Sequence, residues 1–223
     1  MIAIYNYQSP IIAKYCLSNR LVNLLFIERR NELMSEVKTD PRVVRTRKLL
    51  IESFYKLTSS KDFKDITIQD IADEATVNRA TFYSHFEDKY ELMEFVISDI
   101  VLQGIGDKLK QFDDLNVDSL IKIFLLITNF QIEFESGITS KCKRSMKSFN
   151  SLYEFQIKHE LEKAFYMLLQ NKQVEFDQVS IQIGASLLSA SLYEASINWR
   201  QSSLTAETYI LRTIPFISKI YFS

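Results

Sequence analysis

The scarcity of glycine and proline is the feature that most constrains the fold of this chain. Four Gly and three Pro occur among its 223 residues. Tight hairpins, Gly-rich phosphate loops and strand-to-helix crossovers depend on residues that adopt positive φ or fix a turn. Since few such residues are present, the sequence predicts an all-α protein.

Charge and cysteine content suggest neither an obvious partner nor an oxidising compartment. Lys and Arg total 27 against 28 Asp and Glu, a balance that by itself indicates neither a nucleic acid nor a membrane. Cys16 and Cys142 lack metal-ligand spacing and are expected to be reduced thiols in a cytoplasmic protein. The basic neighbours of Cys142 leave redox sensing open beside an inert thiol. No uncharged run reaches the ~20 residues that cross a bilayer, so no membrane partner is expected.

Residues 1–33 are apolar and aromatic without a regular period. They lack the positive start and the small-residue cleavage site of a signal peptide. Glu28-Arg29-Arg30 can be encoded by a purine-rich ribosome-binding sequence shortly before Met34. Two interpretations stay open, an additional N-terminal helix or translation that begins at Met34. A native peptide from residues 1–33, detected by mass spectrometry, would exclude the second.

Four helix-start motifs follow one another in the next part of the chain. They are the capping carboxylate and proline of Asp40-Pro41, the capping-box spacing of Thr67 and Asp70, then Asn78, and finally Asp88. These motifs predict helices over 41–59 and 68–74, a third helix that carries 79–86, and a fourth that begins near Asp88. Apolar periodicity predicts further helices at about 117–136, 141–149, 152–171, 177–201 and 205–221. Gly104 with Gly106, and Pro215, predict a kink or an end in the helices that contain them.

Residues 66–86 meet three requirements of a helix-turn-helix that binds DNA. Such a motif needs a rigid helix, short polar side chains near its start and donors around it that grip phosphates. Phe82 and Phe86 are expected to anchor the helix to a core. The opposite side is small or polar and comprises Asn78, Arg79, Ala80, Thr81 and Ser84. The alternative is an amphipathic helical hairpin with a solvated face.

Three segments resemble the N-terminal domain of the TetR/AcrR family of bacterial transcriptional regulators. They are T-I-Q-D-I-A-x-x-A from Thr67, R-A-T-F-Y-x-H-F from Arg79 and D-K-x-x-L from Asp88. The resemblance covers about residues 43–100. It implies a DNA-binding domain over 34–104, with the helix-turn-helix at about 66–85, followed by a helical sensor and dimerisation domain over 105–223.

The resemblance also implies a set of contacts with a palindromic operator in double-stranded DNA. The residues expected to face bases or the flanking backbone are Asn78, Arg79, Ala80 and Thr81, with Ser84 on the same side. The residues expected to face phosphates are Thr67, Tyr83, His85 and Lys89, while Arg45 or Arg47 reaches the backbone or the adjacent minor groove. Arg79 is the best candidate for base contact, because a guanidinium can bond O6 and N7 of guanine together; a phosphate contact and a solvated arginine are the alternatives.

The turn before the third helix departs from the family pattern. It has Thr76 where the family usually has Gly. A β-branched residue is strained at positive φ. Either the turn is distorted or its backbone does not need the left-handed region, and the register of the helix on DNA depends on which holds.

The C-terminal half carries two candidate sites, each with plain intrachain core as the alternative. In the resembled family this region holds a ligand cavity, and the candidate lining for a small hydrophobic or aromatic effector comprises Phe124, Phe130, Phe134, Tyr153 and Phe165. The candidate homodimer interface comprises Gly184, Leu188, Leu192, Trp199, Tyr209, Ile210 and Phe216.

No enzyme motif is found, and no cofactor or metal is predicted. The chain has two His, without the spaced pair of a zinc helix, and no Walker, dinucleotide or nucleophile-elbow sequence. The family resemblance instead implies a transcriptional regulator, a homodimeric repressor released from its operator by a small molecule. The alternative is an adaptor or coactivator of the same fold that does not act through operator repression.

Overall fold

The computed structural model of the chain describes residues 40–136, 149–171 and 176–221, with side chains as far as Ile217. The predictions for residues 1–33, for Cys142 and for a helix over 141–148 lie outside these ranges. Within them the secondary structure is helical and contains no strand, which confirms the predicted fold class.

The chain divides into two compact units. The N-terminal unit comprises residues 1–96 together with 133–149, and the C-terminal unit comprises 97–132 together with 150–223. The N-terminal unit is therefore discontinuous in sequence. The functional domain boundary placed after residue 104 stays a prediction.

Among its described residues, the N-terminal unit contains three complete helices, the start of a fourth and the last residues of a longer helix that ends at Ser136. The first four are α1 (Pro41–Ser60), α2 (Ile68–Glu74), α3 (Arg79–Tyr83) and α4 (Lys89–Val101), with a 3-10 turn at Phe63–Asp65 between the first two. The predicted caps are present at all four starts. The carboxylate of Asp40 accepts from the Arg42 amide, and Asp88 accepts from the amides of Tyr90 and Glu91.

The core of the N-terminal unit is formed by the apolar side of each of these helices. Its most enclosed side chains, each at most 1% exposed, include Leu50, Phe54, Ile71, Phe82, Phe86 and Leu92. Phe149, a turn residue from the second segment of the unit, adds its ring to this core. It meets the ring of Phe63 edge-on, with centroids 4.6 Å apart.

In the C-terminal unit the helix of α4 continues without a break. A π-helical turn, Leu102–Gly106, leads into a last α-helical turn, Asp107–Leu109. The helix therefore changes geometry at Gly104 and Gly106 but does not end there. Gly104 allows a close approach, since a Cβ at this position would lie 2.1 Å from Cε2 of Phe130.

Four long helices follow in the part of the chain that the structure describes. They are α5 (Val117–Ser136, whose last four residues belong to the N-terminal unit), α6 (Asn150–Asn171), α7 (Gln178–Trp199) and α8 (Ala206–Tyr221). The predicted bounds agree to within two residues. Pro215 lies inside α8, so the helix continues through it rather than ending there.

Candidate nucleic-acid interface

The turn between α2 and α3 uses the left-handed backbone that favours glycine, although it lacks glycine. Thr76 has φ of 56°, in the left-handed region. The amide of Val77 donates to the Ala72 carbonyl at 2.9 Å and the amide of Thr76 donates to the Asp73 carbonyl at 3.1 Å. These two bonds form a Schellman motif with Thr76 at C′. Neither alternative from the sequence holds: the turn is regular and does use the left-handed region. Thr76 therefore carries the strain of a β-branched residue at positive φ.

The start of α3 presents polar groups to solvent. Asn78 caps the helix by accepting from the Thr81 amide at 2.7 Å. Asn78, Arg79 and Ala80 are exposed, Thr81 is half-buried, and Ser84 is exposed one turn later. Phe82 points the other way and is fully buried. The predicted polar face is thus held by one cap and one aromatic anchor.

Arg79 and Tyr83 interact along this face. An Nη2 proton of Arg79 is donated to the Tyr83 hydroxyl oxygen at 3.1 Å. The Arg79 guanidinium carbon lies 5.8 Å from the centre of the Tyr83 ring, and Tyr83 is 48% exposed. Sequence analysis treated the two residues separately, although their i,i+4 spacing is the one at which helix side chains meet.

Arg47 is held inside the N-terminal unit rather than extended toward DNA. Its guanidinium carbon lies 4.3 Å from the centre of the Phe86 ring and 4.5 Å from that of Phe95. Its Nη1 donates to the backbone carbonyl of His85 at 3.2 Å. These contacts fix the end of α3 against α1. Of the two predicted arginines, Arg45 is the one exposed on α1.

His85 is partly covered by its surroundings. Burial lowers the pKa of its imidazole, and the charge of Arg47 lowers it further. Both effects favour the neutral form of the ring. A phosphate contact by His85 would be a hydrogen bond from a neutral N–H group.

Lys89 donates to three backbone carbonyls, which makes it a structural clamp. Its ammonium lies 3.0 Å from the oxygen of Phe63, 3.2 Å from that of Lys64 and 2.7 Å from that of Ile66. An ammonium has three N–H donors, so this set of acceptors accounts for all of them. The geometry thus ties α4 to the turn before α2, and gives no support to the phosphate contact predicted for this residue.

The start of α2 is the capping box that the sequence predicts. The Thr67 hydroxyl accepts from the Asp70 amide at 3.1 Å, and the Asp70 carboxylate accepts from the Thr67 amide at 2.8 Å. The ammonium of Lys61 lies 2.8 Å from the same carboxylate. The hydrogen bonds from Lys61 and then from Thr67 lower the pKa of Asp70 to about 2.

The candidate effector residues of the C-terminal unit are mostly buried. Phe124 and Phe165 are 0% exposed and Phe130 is 4% exposed. The rings of Phe130 and Tyr153 are stacked with centroids 6.1 Å apart. Phe134 belongs to the N-terminal unit. Such burial is what the core interpretation predicts, and the ligand cavity stays a prediction.

The candidate dimer residues fall into two groups. Leu188, Leu192 and Ile210 are each 0% exposed and therefore pack inside the unit. Phe216 is 76% exposed, while Gly184, Trp199 and Tyr209 are half-buried. Sequence analysis missed the apolar side chains that α7 and α8 do expose, which are Val179, Ile183, Leu187 and Leu211.

Comparison with known proteins identifies the domain that holds this interface. The family model described as bacterial regulatory proteins of the tetR family matches residues 50–96, which include α2, α3 and the Schellman turn. This segment is therefore similar to regulatory proteins of the tetR family. The match agrees with the all-helical architecture and with the helix-turn-helix predicted from the sequence.

Two curated proteins resemble this chain over part of their lengths. One is an uncharacterised HTH-type transcriptional regulator, YxbF of Bacillus subtilis (strain 168), 42% identical over 67 residues that make up 30% of this chain and 18% of YxbF. The other is the HTH-type dhaKLM operon transcriptional activator DhaS of Lactococcus lactis subsp. lactis (strain IL1403), 26% identical over 98 residues that make up 39% of this chain and 52% of DhaS. The match thus spans about half the length of DhaS and less than a fifth of the length of YxbF.

Two solved structures were also found to be similar to the chain at low sequence identity. A TetR transcriptional regulator from Streptococcus agalactiae 2603V is 21% identical, with a TM-score of 0.49 over 84% of this chain and 99% of that one. DhaS, the dihydroxyacetone kinase operon activator, is 18% identical, with a TM-score of 0.46 over 81% of this chain and 99% of that one. Among the described residues of the chain, no helix is long and apolar enough to cross a membrane, and no cluster of metal-ligating side chains is found.

Proposed function

We propose that the protein is a transcriptional regulator that binds a palindromic operator through α3. The exposed polar start of α3, held by the Schellman turn at Thr76, supports this proposal. A helix of this kind enters the major groove with its first residues against base edges. The base-facing residues would be Asn78, Arg79, Ala80 and Thr81.

The backbone contacts proposed around α3 are fewer than the sequence predicts. Tyr83 and Ser84 are exposed beside the base-facing residues, and Thr67 is exposed at the start of α2. Arg45 is the proposed contact from α1, because Arg47 is occupied between two aromatic rings. Lys89 is omitted, since its ammonium donates to three carbonyls of its own chain.

A homodimer would place two copies of α3 on the two halves of a palindrome. Its support is the exposed apolar surface of α7 and α8, comprising Val179, Ile183, Leu187, Leu211 and Phe216. The three residues on α7 follow one another at intervals of four, so they lie along one side of the helix. Exposed rows of large apolar side chains mark interaction sites in soluble proteins.

Repression relieved by a small hydrophobic or aromatic effector is the proposed output. Activation is the second candidate, because the relative DhaS is named as a transcriptional activator. The alternative is an adaptor of the same fold that acts through a protein partner. It would neither repress nor activate transcription by binding an operator. A reporter fused to the promoter that the protein binds distinguishes the outputs: deletion of the gene raises transcription under repression and lowers it under activation.

DNA binding is tested with a duplex from the region upstream of the protein's own gene. In a gel-shift assay at physiological salt, we expect a shifted band that resists competition by unrelated DNA. A footprint on the same duplex should show two protected half-sites. Binding without sequence preference over competitor DNA would refute the operator proposal.

The dimer is tested by placing charge on the exposed apolar row of α7. Leu187→Glu should give a monomer in size-exclusion chromatography with light scattering, since a buried unpaired carboxylate opposes association. Phe155→Glu, at an α6 residue that is also exposed, is the matched control and should remain a dimer. A Leu187→Glu dimer of unchanged affinity would place the interface elsewhere.

A further inference from the structure

The pair formed by Arg79 and Tyr83 contains the one basic side chain of the helix-turn-helix between Lys64 and Lys89. Between Lys64 and Lys89 the sequence contains no Lys or Arg except Arg79. The positive charge of α2, the turn and α3 is therefore concentrated in one guanidinium. That guanidinium is hydrogen-bonded to the Tyr83 hydroxyl at 3.1 Å.

We propose that Tyr83 is a positioning residue that sets the base selectivity of Arg79, so that the two side chains read DNA as one pair. This inference rests on the DNA-binding function proposed above. Tyr83 would then influence which base is preferred, in addition to any contact it makes with a phosphate.

The geometry supports this role because the hydrogen bond restricts a flexible side chain. A free arginine on the surface samples many rotamers, and ordering it on binding opposes association. Bidentate bonding to guanine needs the guanidinium plane in one orientation. Tyr83 accepts one of the five N–H protons of Arg79, which leaves the others for a base.

The hydroxyl group of Tyr83 can also donate a hydrogen bond to the DNA backbone while it accepts one from Arg79. Its oxygen accepts from Arg79, and its own proton remains available for a phosphate oxygen. A hydroxyl that accepts from a cation becomes a stronger donor, since hydrogen bonds in a chain polarise one another. The pair would thereby link the position of the backbone to the base that Arg79 meets.

The experiment is a double-mutant cycle read out as base selectivity. Wild type, Arg79→Ala, Tyr83→Phe and the double variant are first incubated with a randomised duplex pool. The sequence selected by wild type, and each of its single-base substitutions, is then titrated by fluorescence anisotropy. Tyr83→Phe keeps the ring and removes the hydroxyl alone. Tyr90→Phe removes a hydroxyl from another exposed tyrosine of the same unit and is the matched control.

We expect selectivity to fall at the same base pair in both single variants. Arg79→Ala should reduce discrimination there by about tenfold or more, as the loss of a bidentate contact does. Tyr83→Phe should reduce it by about threefold to tenfold, the effect of one hydrogen bond. In the Arg79→Ala background, Tyr83→Phe should change discrimination no further, and Tyr90→Phe should leave it at the wild-type value.

Two results would overturn the inference. Tyr83→Phe could weaken all sequences by the same factor, or it could act equally in the presence and absence of Arg79; either outcome would make Tyr83 a backbone contact alone. A wild-type protein that selects no sequence from the pool would instead refute the proposed function itself. Arg79→Lys keeps the charge without the fork of donors, so it should retain non-specific affinity and lose the selectivity.

Discussion

The two units of this chain are stabilised in different ways. In the N-terminal unit, α2 and α3 have seven and five residues, well below the ~12–15 residues at which an isolated helix becomes marginally stable. In the C-terminal unit, α6 and α7 have 22 residues each. Short helices need their ends fixed by other groups, whereas long helices can be held by the packing of their sides.

In the N-terminal unit, polar side chains hold the ends of the short helices in place. Asn78 and Asp70 bond to helix ends, Lys89 holds the turn before α2, and Arg47 holds the end of α3. The unit that presents the candidate DNA interface thus uses charged residues as internal supports. A basic side chain near the interface is therefore not automatically a DNA contact.

The largest expected effect tests the dependence of the C-terminal unit on apolar packing. Phe165 is 0% exposed on α6, and Phe165→Ala should lower the free energy of unfolding by about 3–5 kcal/mol, through lost transfer energy and the cavity left behind. Phe155→Ala, at a ring that is 59% exposed, is the control on the same helix and should change it by less than about 1 kcal/mol. Urea denaturation followed by circular dichroism measures both. Equal effects would mean that α6 is not held through its buried side.

The second prediction tests the polar clamp of the N-terminal unit. Lys89→Met keeps the aliphatic stem but removes the ammonium, so three carbonyls lose a charged donor; we expect a loss of about 2 kcal/mol in unfolding free energy. Lys64→Met, at an exposed neighbour on the turn, is the control. The salt dependence of DNA binding gives a second measurement. If Lys89→Met leaves stability intact but lowers the slope of log affinity against log salt by about one, Lys89 contacts a phosphate after all.

The third prediction concerns the strain at Thr76. A residue with a Cβ is strained by about 1–2 kcal/mol in the left-handed region. Replacing it with glycine removes this strain, but part of the gain is lost because glycine has more conformational freedom in the unfolded chain. Thr76→Gly should therefore raise the unfolding free energy by about 1 kcal/mol. Thr76→Ala keeps the Cβ and serves as the control, with little gain expected. If alanine stabilises as much as glycine, the left-handed backbone is not the source of the strain.

The smallest expected effect is the pH dependence of the capping box. The pKa of Asp70 is about 2 in the folded chain, below its unfolded value near 3.9. Its contribution to stability is therefore fully present above about pH 4 and is lost as the pH falls toward 2. Asp70→Asn should lower the melting temperature at pH 7, and its difference from wild type should shrink between pH 4 and pH 2. A difference that stays constant over that range would show that the carboxylate charge contributes nothing.

Local motifs account for the parts of the structure that the sequence predicts well. The bounds of α2 and α5 agree with prediction at both ends, and each predicted cap accepts from the expected amide. Such interactions join residues two to four positions apart, so a single sequence displays them. The contact between Lys89 and Ile66 joins residues 23 positions apart, and nothing in the local pattern indicates it.

The exposed side of α7 is a feature that the sequence could not predict. The α7 helix has apolar or small residues on every side, so the periodicity of its sequence does not distinguish a buried face from an exposed one. Leu187 is 54% exposed while Leu188 is 0% exposed, because successive side chains on a helix point about 100° apart. The sequence placed a candidate interface on α7, but a leucine that it named, Leu188, packs inside the unit. Only the packing of α7 inside its unit decides which leucine faces solvent.

The contact between Phe63 and Phe149 has a consequence for how the DNA-binding part can be isolated. Phe63 is 5% exposed, and the ring of Phe149, 86 positions further along the chain, lies against it. A fragment that ends at residue 104 would retain every residue of the helix-turn-helix and yet lack the ring that packs on Phe63. Excision at that boundary should leave an apolar side chain open to solvent beside the Lys89 clamp. A stable minimal fragment would need Phe63 replaced by a polar residue, or the second segment of the unit joined back to the first.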